Sequence, residues 1–407
     1  MSICEIRRRT FWRISRRVTR LGCAAITRAP SIACRICFRR EGRHVVVTAP
    51  GSRAVAGRPV RPALIDCDHH NELDSDADLY PYLSARWLAH AKSHGLRGAA
   101  GGMYPRFMPH REDARPPSGR KSGTDARHTV RHFIEPQNVA YAVLIPLNPS
   151  ASQLNLDFGS ALATAVNDWQ VAEWLDVDSR FRASITVAFE DPVGAVAEIE
   201  HRARDKRFVQ VQFSGRPQEP MGRRKYWPIY EACARHGLHV FSHAFGSYGQ
   251  PITGTGWPSY YVEEHVGPAQ AVQAQVTSLV FEGVFDRFPI KFVSVENGFA
   301  WLPSLCWRMD SAYRLLKSEV PHLKHEPSEY VRGHVYASTQ PMEEPNRPRY
   351  FHKMIEQFGD LFDHIMFASD YPHWDYDDPD QALPVNLPHA IQQKIYFDNA
   401  ARLYNLA

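Results

Sequence analysis

The segment Leu64-Ile65-Asp66-Cys67-Asp68-His69-His70 is an apolar run that ends in acidic and imidazole side chains. Seven more short apolar runs follow it, and the stretches between them space their apolar residues as helices do. The predicted strands are 63–67, 139–145, 183–187, 208–213, 238–242, 291–295, 331–336 and 364–368. The predicted helices lie at about 158–176, 192–205, 225–237, 266–287, 300–317, 347–359 and 387–404.

This alternation of strands and helices predicts a parallel sheet of the α/β class. Eight strands in about 340 residues fit a single (β/α)8 TIM barrel better than an open doubly wound sheet. No glycine-rich phosphate loop follows any predicted strand, which weakens the case for a dinucleotide-binding sheet. We expect two insertions in the barrel, at 85–135 after the first strand and at 246–262 after the fifth.

Four of the predicted strands end in side chains that bind divalent metals. Asp68 and His70 are two residues apart in the first strand, so they are expected to project to the same side. His243 follows the fifth strand, Glu296 the sixth and Asp370 the eighth. One such residue is most often a turn or cap residue, but four strands of one barrel that end this way form a specific combination. The combination indicates a divalent metal in the mouth of the barrel.

Three further motifs extend the pattern to the end of the chain: GLHVFSH (237–243), IMFASDYPH (365–373) and NAARLY (399–404). With the first segment, they resemble the amidohydrolase-related family typified by aminocarboxymuconate semialdehyde decarboxylase and the resorcylate-type decarboxylases. The resemblance covers residues 64–406, approximately the whole predicted barrel. It implies one divalent metal ion, Zn²⁺ or Mn²⁺, held by Asp68, His70, His243 and Asp370.

Two positions depart from the common pattern of that family. Asp68 stands where many members have the first histidine of a His-x-His pair, although an acid-x-His pair is known in the resorcylate-type subset. The carboxylate adds a hard oxygen ligand and a negative charge, which favours Mn²⁺ while still allowing Zn²⁺. Glu296 stands where many members have a catalytic histidine. It either takes over proton transfer, if the mouth of the barrel raises its pKa, or it is structural.

The resemblance implies decarboxylation of a small carboxylated cyclic or aromatic substrate, with Glu296 or Asp370 as the proton donor. The same ligands would serve a hydrolase of an amide, a lactone or a carbon–carbon bond, in which Asp370 takes a proton from a water activated by the metal. The residues alone do not separate a lyase from a hydrolase. A non-catalytic barrel that acts as a binding protein would have a broken ligand set, whereas all four positions carry competent ligands. We therefore expect an enzyme.

Aromatic side chains in the loops after the fifth and eighth strands are candidates for substrate contact. Packing within the loops explains each of them equally well. Glu72 lies two residues beyond His70 and is a candidate second-shell partner that would orient that ligand. The four candidates for substrate contact are Trp257, Tyr260, His373 and Trp374.

Residues 1–62 differ sharply in composition from the rest of the chain. They contain 15 arginines, no lysine and two acids, a net charge of +13, so the remaining 345 residues carry −9 although the whole chain carries +4. This Arg-rich arm shows no clear helical or strand period, and we expect it to be disordered or outside the fold, with 63–407 as the barrel domain. A transit peptide and a nucleic-acid-binding tail are the alternatives. The acidic body argues against nucleic acid.

Cysteine usage and hydropathy limit the compartment and the partners. Four of the seven cysteines lie in the arm, and its single CxxC pair, Cys34 and Cys37, lacks the second pair that a zinc site needs. The other three lie far apart in apolar segments, which indicates a reducing, cytoplasmic location.

No stretch approaches ~18 consecutive apolar residues, so we expect no membrane segment. The expected partners are a small-molecule substrate and, from the resemblance, a second copy in a homodimer.

Deleting residues 1–62 should leave metal content and turnover unchanged, because every candidate ligand lies in the acidic body that begins with the first strand. Elemental analysis and a turnover assay on the full-length and shortened chains would measure both quantities. A large loss of either one in the shortened chain would show that the arm contributes to the site.

Overall fold

The computed structural model describes residues 62–97, 110–247, 251–383 and 387–406. Eight parallel strands, paired in sequence order, curl into a nearly closed barrel, which confirms the predicted (β/α)8 fold. Apart from Pro62, the predicted arm lies outside the described residues. The strands are β1 (Leu64–His69), β2 (Val139–Leu144), β3 (Phe181–Thr186), β4 (Phe208–Arg216), β5 (His239–Ser247), β6 (Phe292–Val295), β7 (Val335–Ser338) and β8 (Ile365–Met366).

Helices follow the strands and pack around the barrel. A large apolar cluster between the strands and the helices forms most of the core. In the part of the chain that the structure describes, no helix is both long and apolar enough to cross a membrane. The α-helices are α1 (Ala85–His94), α2 (Ala126–Thr129), α3 (Leu156–Gln170), α4 (Pro192–Arg202), α5 (Trp227–His236), α6 (Tyr261–Val266), α7 (Pro268–Phe281), α8 (Val284–Arg287), α9 (Leu302–Leu316), α10 (Pro327–His334), α11 (Pro348–Phe358), α12 (His389–Gln393) and α13 (Asn399–Tyr404).

Two predicted elements differ from the structure. The predicted strand at 331–336 begins as the last turn of α10, because Pro327 and a capping box between Glu326 and Glu329 start a helix that runs to His334. The predicted helix at 266–287 is divided, since Gly283 adopts a left-handed conformation with φ of 74° and separates α7 from α8. The other seven predicted strands overlap the observed ones.

A second, smaller apolar cluster fills the barrel below its mouth. It joins inward-facing strand residues such as Ile65 and Phe241 to Leu403 and Tyr404 of α13. The hydroxyl of Tyr404 donates to Gln210 Oε1 near the start of β4, at 2.7 Å. Helix α13 therefore covers the amino-terminal end of the barrel, so polar chemistry is confined to the opposite end, where the strands terminate.

Backbone hydrogen bonds bring the segment that follows β8 against β1. The amide of Cys67 donates to the carbonyl oxygen of Phe367 at 3.0 Å. The amide of Asp370 donates to the carbonyl oxygen of Asp68 at 3.0 Å, and that of His70 donates to Tyr371 at 2.8 Å. These bonds place the end of β1 directly beside the residues that follow β8.

The carboxylate of Asp66 strengthens the same junction. It is fully buried, and it accepts hydrogen bonds from the amide of Ser369 at 2.9 Å and from the Ser369 hydroxyl at 2.7 Å. His69 Nδ1 lies 3.0 Å from the same carboxylate. One side chain of β1 thus binds three groups, two of which come from the far end of the chain.

Replacing Asp66 with Ala should lower the free energy of unfolding by about 3 kcal/mol or more, because the amide and hydroxyl of Ser369 and the ring of His69 would lose their buried partner. Urea unfolding followed by circular dichroism would measure the change. Asp157→Ala, at an exposed position in the first turn of α3, is the control, with an expected change below about 1 kcal/mol. Equal losses in the two variants would contradict this role of Asp66.

Candidate metal centre

Four of the sequence-predicted residues meet at the mouth of the barrel. His70 Nε2 lies 3.2 Å from Asp68 Oδ1 and 2.9 Å from Asp370 Oδ1. His243 Nε2 lies 3.8 Å from Asp68 Oδ1. All four side chains are buried. The end of β1, the middle of β5 and the segment after β8 therefore bring two carboxylates and two imidazoles to one point.

Glu296, which follows β6, lies at the same point. Its Oε2 atom is 3.1 Å from His243 Nε2. Asp68, Glu296 and Asp370 each direct one carboxylate oxygen into a space in which these atoms lie within 4.8 Å of one another. The predicted proton-transfer candidate thus borders the predicted metal ligands directly.

The polar atoms that line this space fit a divalent cation. Asp68 Oδ2 and Asp370 Oδ2 are buried and have no hydrogen-bond partner among the described residues, and the other buried ligand atoms, His70 Nε2, Asp68 Oδ1 and Glu296 Oε2, contact one another or His243 within the cluster. Buried polar atoms normally have partners, so carboxylate oxygens without one, beside imidazole nitrogens, are the pattern that a metal ion satisfies. The combination is rich in oxygen, as Mn²⁺ prefers, and it also contains the nitrogen ligands that Zn²⁺ accepts.

A backbone carbonyl orients His70. Its Nδ1 atom lies 2.8 Å from the carbonyl oxygen of Ile145, so Nδ1–H donates to that oxygen and the lone pair of Nε2 faces the cluster. Glu72, the candidate for this orienting role from the sequence, does not have it, because Nδ1 of His70 is already bonded to Ile145. Glu72 instead approaches His373, with 3.5 Å between Oε1 and Nε2. Glu72 lies beyond the end of β1, and its amide donates to the carbonyl of Gly123 in the first insertion instead of continuing the strand.

Electrostatics at the mouth favours an added positive charge. Burial raises the pKa of Asp68 to about 6, with His70 opposing this shift and Asp370 supporting it. Burial, together with the negative charges of Asp370, Asp375 and Asp68, raises the pKa of Glu296 well above its usual range. Burial also acts to raise the pKa of Asp370, but His373 and His70 outweigh it and hold that pKa low. The carboxylates repel one another, and a dication would relieve that repulsion.

Two of the three carboxylate residues have a left-handed backbone conformation. Glu296 has φ of 60° and Asp370 has φ of 57°. Such conformations cost non-glycine residues about 1–3 kcal/mol each, and they are found where the surrounding structure holds them for a functional reason. The amide of Glu296 donates to the Ser338 hydroxyl at 2.9 Å, and that of Asp370 donates to the carbonyl of Asp68. These bonds fix both carboxylates in the mouth.

His373, predicted to contact substrate, is a buried partner of Asp370. Its Nδ1 atom lies 2.8 Å from Asp370 Oδ1, and its ring packs 4.2 Å from that of His70, centroid to centroid. His110 from the first insertion also packs against His373, with 5.3 Å between ring centroids. The sequence analysis missed His110, because it lies in a polar insertion without strand or helix periodicity.

The aromatic candidates differ in their exposure to solvent. Trp374 is half-exposed, and its Nε1–H donates to the hydroxyl of Tyr261 at 3.4 Å. Trp257 is also half-exposed, whereas the side chain of Tyr260 lies mostly in solvent, with 71% of the residue exposed. The neighbouring Tyr261 is more buried, and burial together with Asp375 raises its pKa. Glu296 and Asp370 also act to raise the pKa of Tyr261, which was not among the candidates from the sequence.

A buried ion pair attaches the second insertion to the barrel. Arg216 at the end of β4 lies 3.1 Å from Glu264 of α6, between Nη2 and Oε1, and both side chains are buried. Along β4, Ser214 is the register partner of His243, so Arg216 lies just beyond the level of that ligand. The pair fixes α6, and with it Tyr261, over the mouth. The sequence analysis missed this pair, because nothing in the local pattern connects the two residues.

Comparisons with known proteins agree with this architecture. A family model described as amidohydrolase matches residues 65–406. A gamma-resorcylate decarboxylase of Polaromonas sp. (strain JS666 / ATCC BAA-500) is 23% identical over 282 residues, which cover 65% of this chain and 83% of that protein.

Two solved structures share the fold. One is a dihydroxybenzoic acid decarboxylase from Polaromonas sp. JS666 with bound manganese and the inhibitor 2-nitroresorcinol, at 17% identity and a TM-score of 0.60, with 84% of this chain and 97% of that chain covered. The other is 5-carboxyvanillate decarboxylase from Sphingomonas paucimobilis, at 20% identity and a TM-score of 0.61, with 85% and 99% covered.

Replacing His243 with Ala should weaken metal binding by more than about 100-fold, because even the loss of an outer-shell partner costs 10–100-fold in affinity. Equilibrium dialysis against Mn²⁺ with elemental analysis would measure the affinity. The matched control is His265→Ala, which removes a histidine that pairs with Asp375 at 2.7 Å outside the cluster. Wild-type affinity in His243→Ala would contradict the assignment of this cluster as the metal site.

Proposed function

This chain belongs to the amidohydrolase family, and within that family we propose that it is a metal-dependent decarboxylase of a small aromatic carboxylate. It is an enzyme of the group that contains metal-dependent decarboxylases and amidohydrolases. The observation that carries the proposal is the oxygen-rich cluster at the mouth, where three buried carboxylates converge with His70 and His243. The named decarboxylases with the same fold support the choice of reaction.

Asp68, His70, His243 and Asp370 would hold one divalent cation. Their donor atoms combine two carboxylates with two imidazoles, which favours Mn²⁺ and still admits Zn²⁺. Manganese in the related dihydroxybenzoic acid decarboxylase supports the first of these metals. When bound, the cation supplies Lewis acidity to an oxygen of the substrate's carboxylate or of a neighbouring hydroxyl.

Glu296 is the proton donor in this proposal. Decarboxylation breaks the bond between the ring carbon and the carboxyl carbon, CO₂ leaves, and the electron pair remains on the ring carbon. The proton of the Glu296 carboxyl group then goes to that carbon, and solvent returns a proton to Glu296. Asp370 is the weaker candidate, because His70 and His373 both approach its Oδ1 and stabilise its ionised form.

The rim of the mouth would contact the aromatic ring of the substrate. Trp374 and Tyr261 stand with ring centroids 6.2 Å apart beside the acidic cluster. Trp257 and Tyr260 belong to the same insertion and would contribute from its exposed side. His373 would act through Asp370 instead, since it is buried behind that residue. An aromatic rim of this kind suits a planar substrate.

The Mn²⁺-loaded protein should release CO₂ from at least one hydroxylated benzoate, such as 2,6-dihydroxybenzoate or 5-carboxyvanillate, because decarboxylases named for such acids share this fold. Gas detection and chromatography of the phenolic product would measure turnover. In D₂O the product should carry deuterium at the vacated ring carbon. Hydrolysis of amides or lactones without CO₂ release would favour the hydrolase instead. Metal binding without turnover of either substrate class would indicate a binding protein.

Replacing Glu296 with Gln should lower kcat by about 10²–10⁴-fold with metal content near that of the wild type, because the variant loses the donated proton and keeps the side chain's shape. Steady-state kinetics and elemental analysis on the same samples would test this. Glu231→Gln, at an exposed position of α5, is the control and should leave both quantities unchanged. Loss of the metal together with activity would show that Glu296 is a ligand rather than the proton donor.

A further inference from the structure

A second group of metal-ligating side chains lies behind the first. Glu72 follows β1, His110 belongs to the first insertion, and His373 follows β8. Glu72 Oε1, His110 Nε2 and His373 Nε2 all lie within 4.8 Å of one another, and the first and last of these are 3.5 Å apart. None of the three residues belongs to the four predicted ligands of the first centre. The group is therefore a separate place where a cation could bind.

All three donor atoms are buried. Glu72 Oε1 and His373 Nε2 face each other at 3.5 Å, whereas His110 Nε2 has no hydrogen-bond partner within the described ranges. The side chain of His373 is 8% exposed and that of Glu72 is 12% exposed. A buried polar atom without a partner is costly, so His110 Nε2, beside a buried carboxylate and a second imidazole, calls for a ligand there. One carboxylate and two imidazoles form a ligand set that zinc takes in proteins.

The hydrogen bonding of His373 prepares it as a ligand. Its Nδ1–H donates to Asp370 Oδ1 at 2.8 Å, which leaves the lone pair on Nε2, the atom that faces Glu72 and His110. An imidazolium at His373, held between Asp370 and Glu72, would also explain two of the three residues. It would leave Nε2 of His110 buried without a partner, whereas a cation satisfies all three.

The backbone segments that carry the three residues pack closely against one another. The amide of Glu72 donates to the carbonyl of Gly123 at 2.8 Å, and the amide of Arg111 donates to the carbonyl of Pro372 at 2.9 Å. Gly123 has φ of 79°, and a Cβ atom there would lie 2.9 Å from Pro372 Cγ and 3.1 Å from Glu72 Cγ. Only glycine fits this crossing. The three segments are thus fixed before any ion binds.

We propose that Glu72, His110 and His373 form a second divalent-cation site of the two-histidine, one-carboxylate type that takes Zn²⁺. The ion would fasten the first insertion to the loop after β8 and hold His373 against Asp370. This site goes beyond the proposed decarboxylase activity, and its occupancy can be measured without any substrate.

The test uses the full-length protein, stripped with a chelator and dialysed to equilibrium against Zn²⁺. Elemental analysis should give two equivalents per chain for the wild type. His110→Ala and His243→Ala should each retain one equivalent, since each removes a ligand from a different site. His128→Ala, a histidine of the same insertion outside the group, is the matched control and should retain two.

Glu72→Gln provides a second variant with nearly unchanged shape, in case His110→Ala fails to fold by circular dichroism. It should also lose one equivalent of Zn²⁺. With Co²⁺ in place of Zn²⁺, the visible absorption that arises from the second site should disappear in this variant and persist in His243→Ala. One equivalent or none in the wild type, or two equivalents in both His110→Ala and Glu72→Gln, would overturn the second site. If the wild type binds one equivalent of Zn²⁺ and His243→Ala binds none, the second site would fail, while the first metal centre and the proposed function would still stand.

Discussion

The closure of the barrel between β1 and the segment after β8 is the constraint on which the candidate site depends. Asp66 accepts two hydrogen bonds from Ser369. Two residues further along β1, the carbonyl of Asp68 accepts a hydrogen bond from the amide of Asp370. Asp68 and Asp370 are some 300 residues apart in the chain, yet this junction makes them neighbours. If it opened, one carboxylate of the metal centre would separate from the others. The buried hydrogen bonds of Asp66 and the candidate metal site therefore lie side by side, where β1 meets the segment after β8.

The same junction concentrates negative charge at the mouth of the barrel. Asp68, Glu296 and Asp370 are buried together, and two of them stand on left-handed backbone. Burial and mutual repulsion make such an arrangement unfavourable unless a cation is added. Glu296 increases this demand, because it adds a third buried carboxylate to those of Asp68 and Asp370.

His373 links the two cation sites that we infer. On one side its Nδ1–H donates to Asp370, and on the other its Nε2 faces Glu72 and His110. The first insertion therefore does more than cover the barrel, because it supplies His110 and, through Gly123, a close crossing over Glu72. The second insertion has a comparable role, since the Arg216–Glu264 pair fixes Tyr261 near the mouth. Both insertions act on the centre through side chains from outside the strands.

The sequence alone determined the barrel and five of the residues at its mouth. Parallel strands all end at the same rim, so these five had to be close once eight strands were recognised: Asp68, His70, His243, Glu296 and Asp370. Tertiary structure alone decided the partner of Glu72, the position of His110 and the choice of Tyr261 over Tyr260. These depend on loop paths, which have no periodicity and are set by contacts between residues far apart in the chain. The later start of β7 has a local cause instead, because the capping box at Glu326 and Glu329 outweighed the β-branched residue at 331.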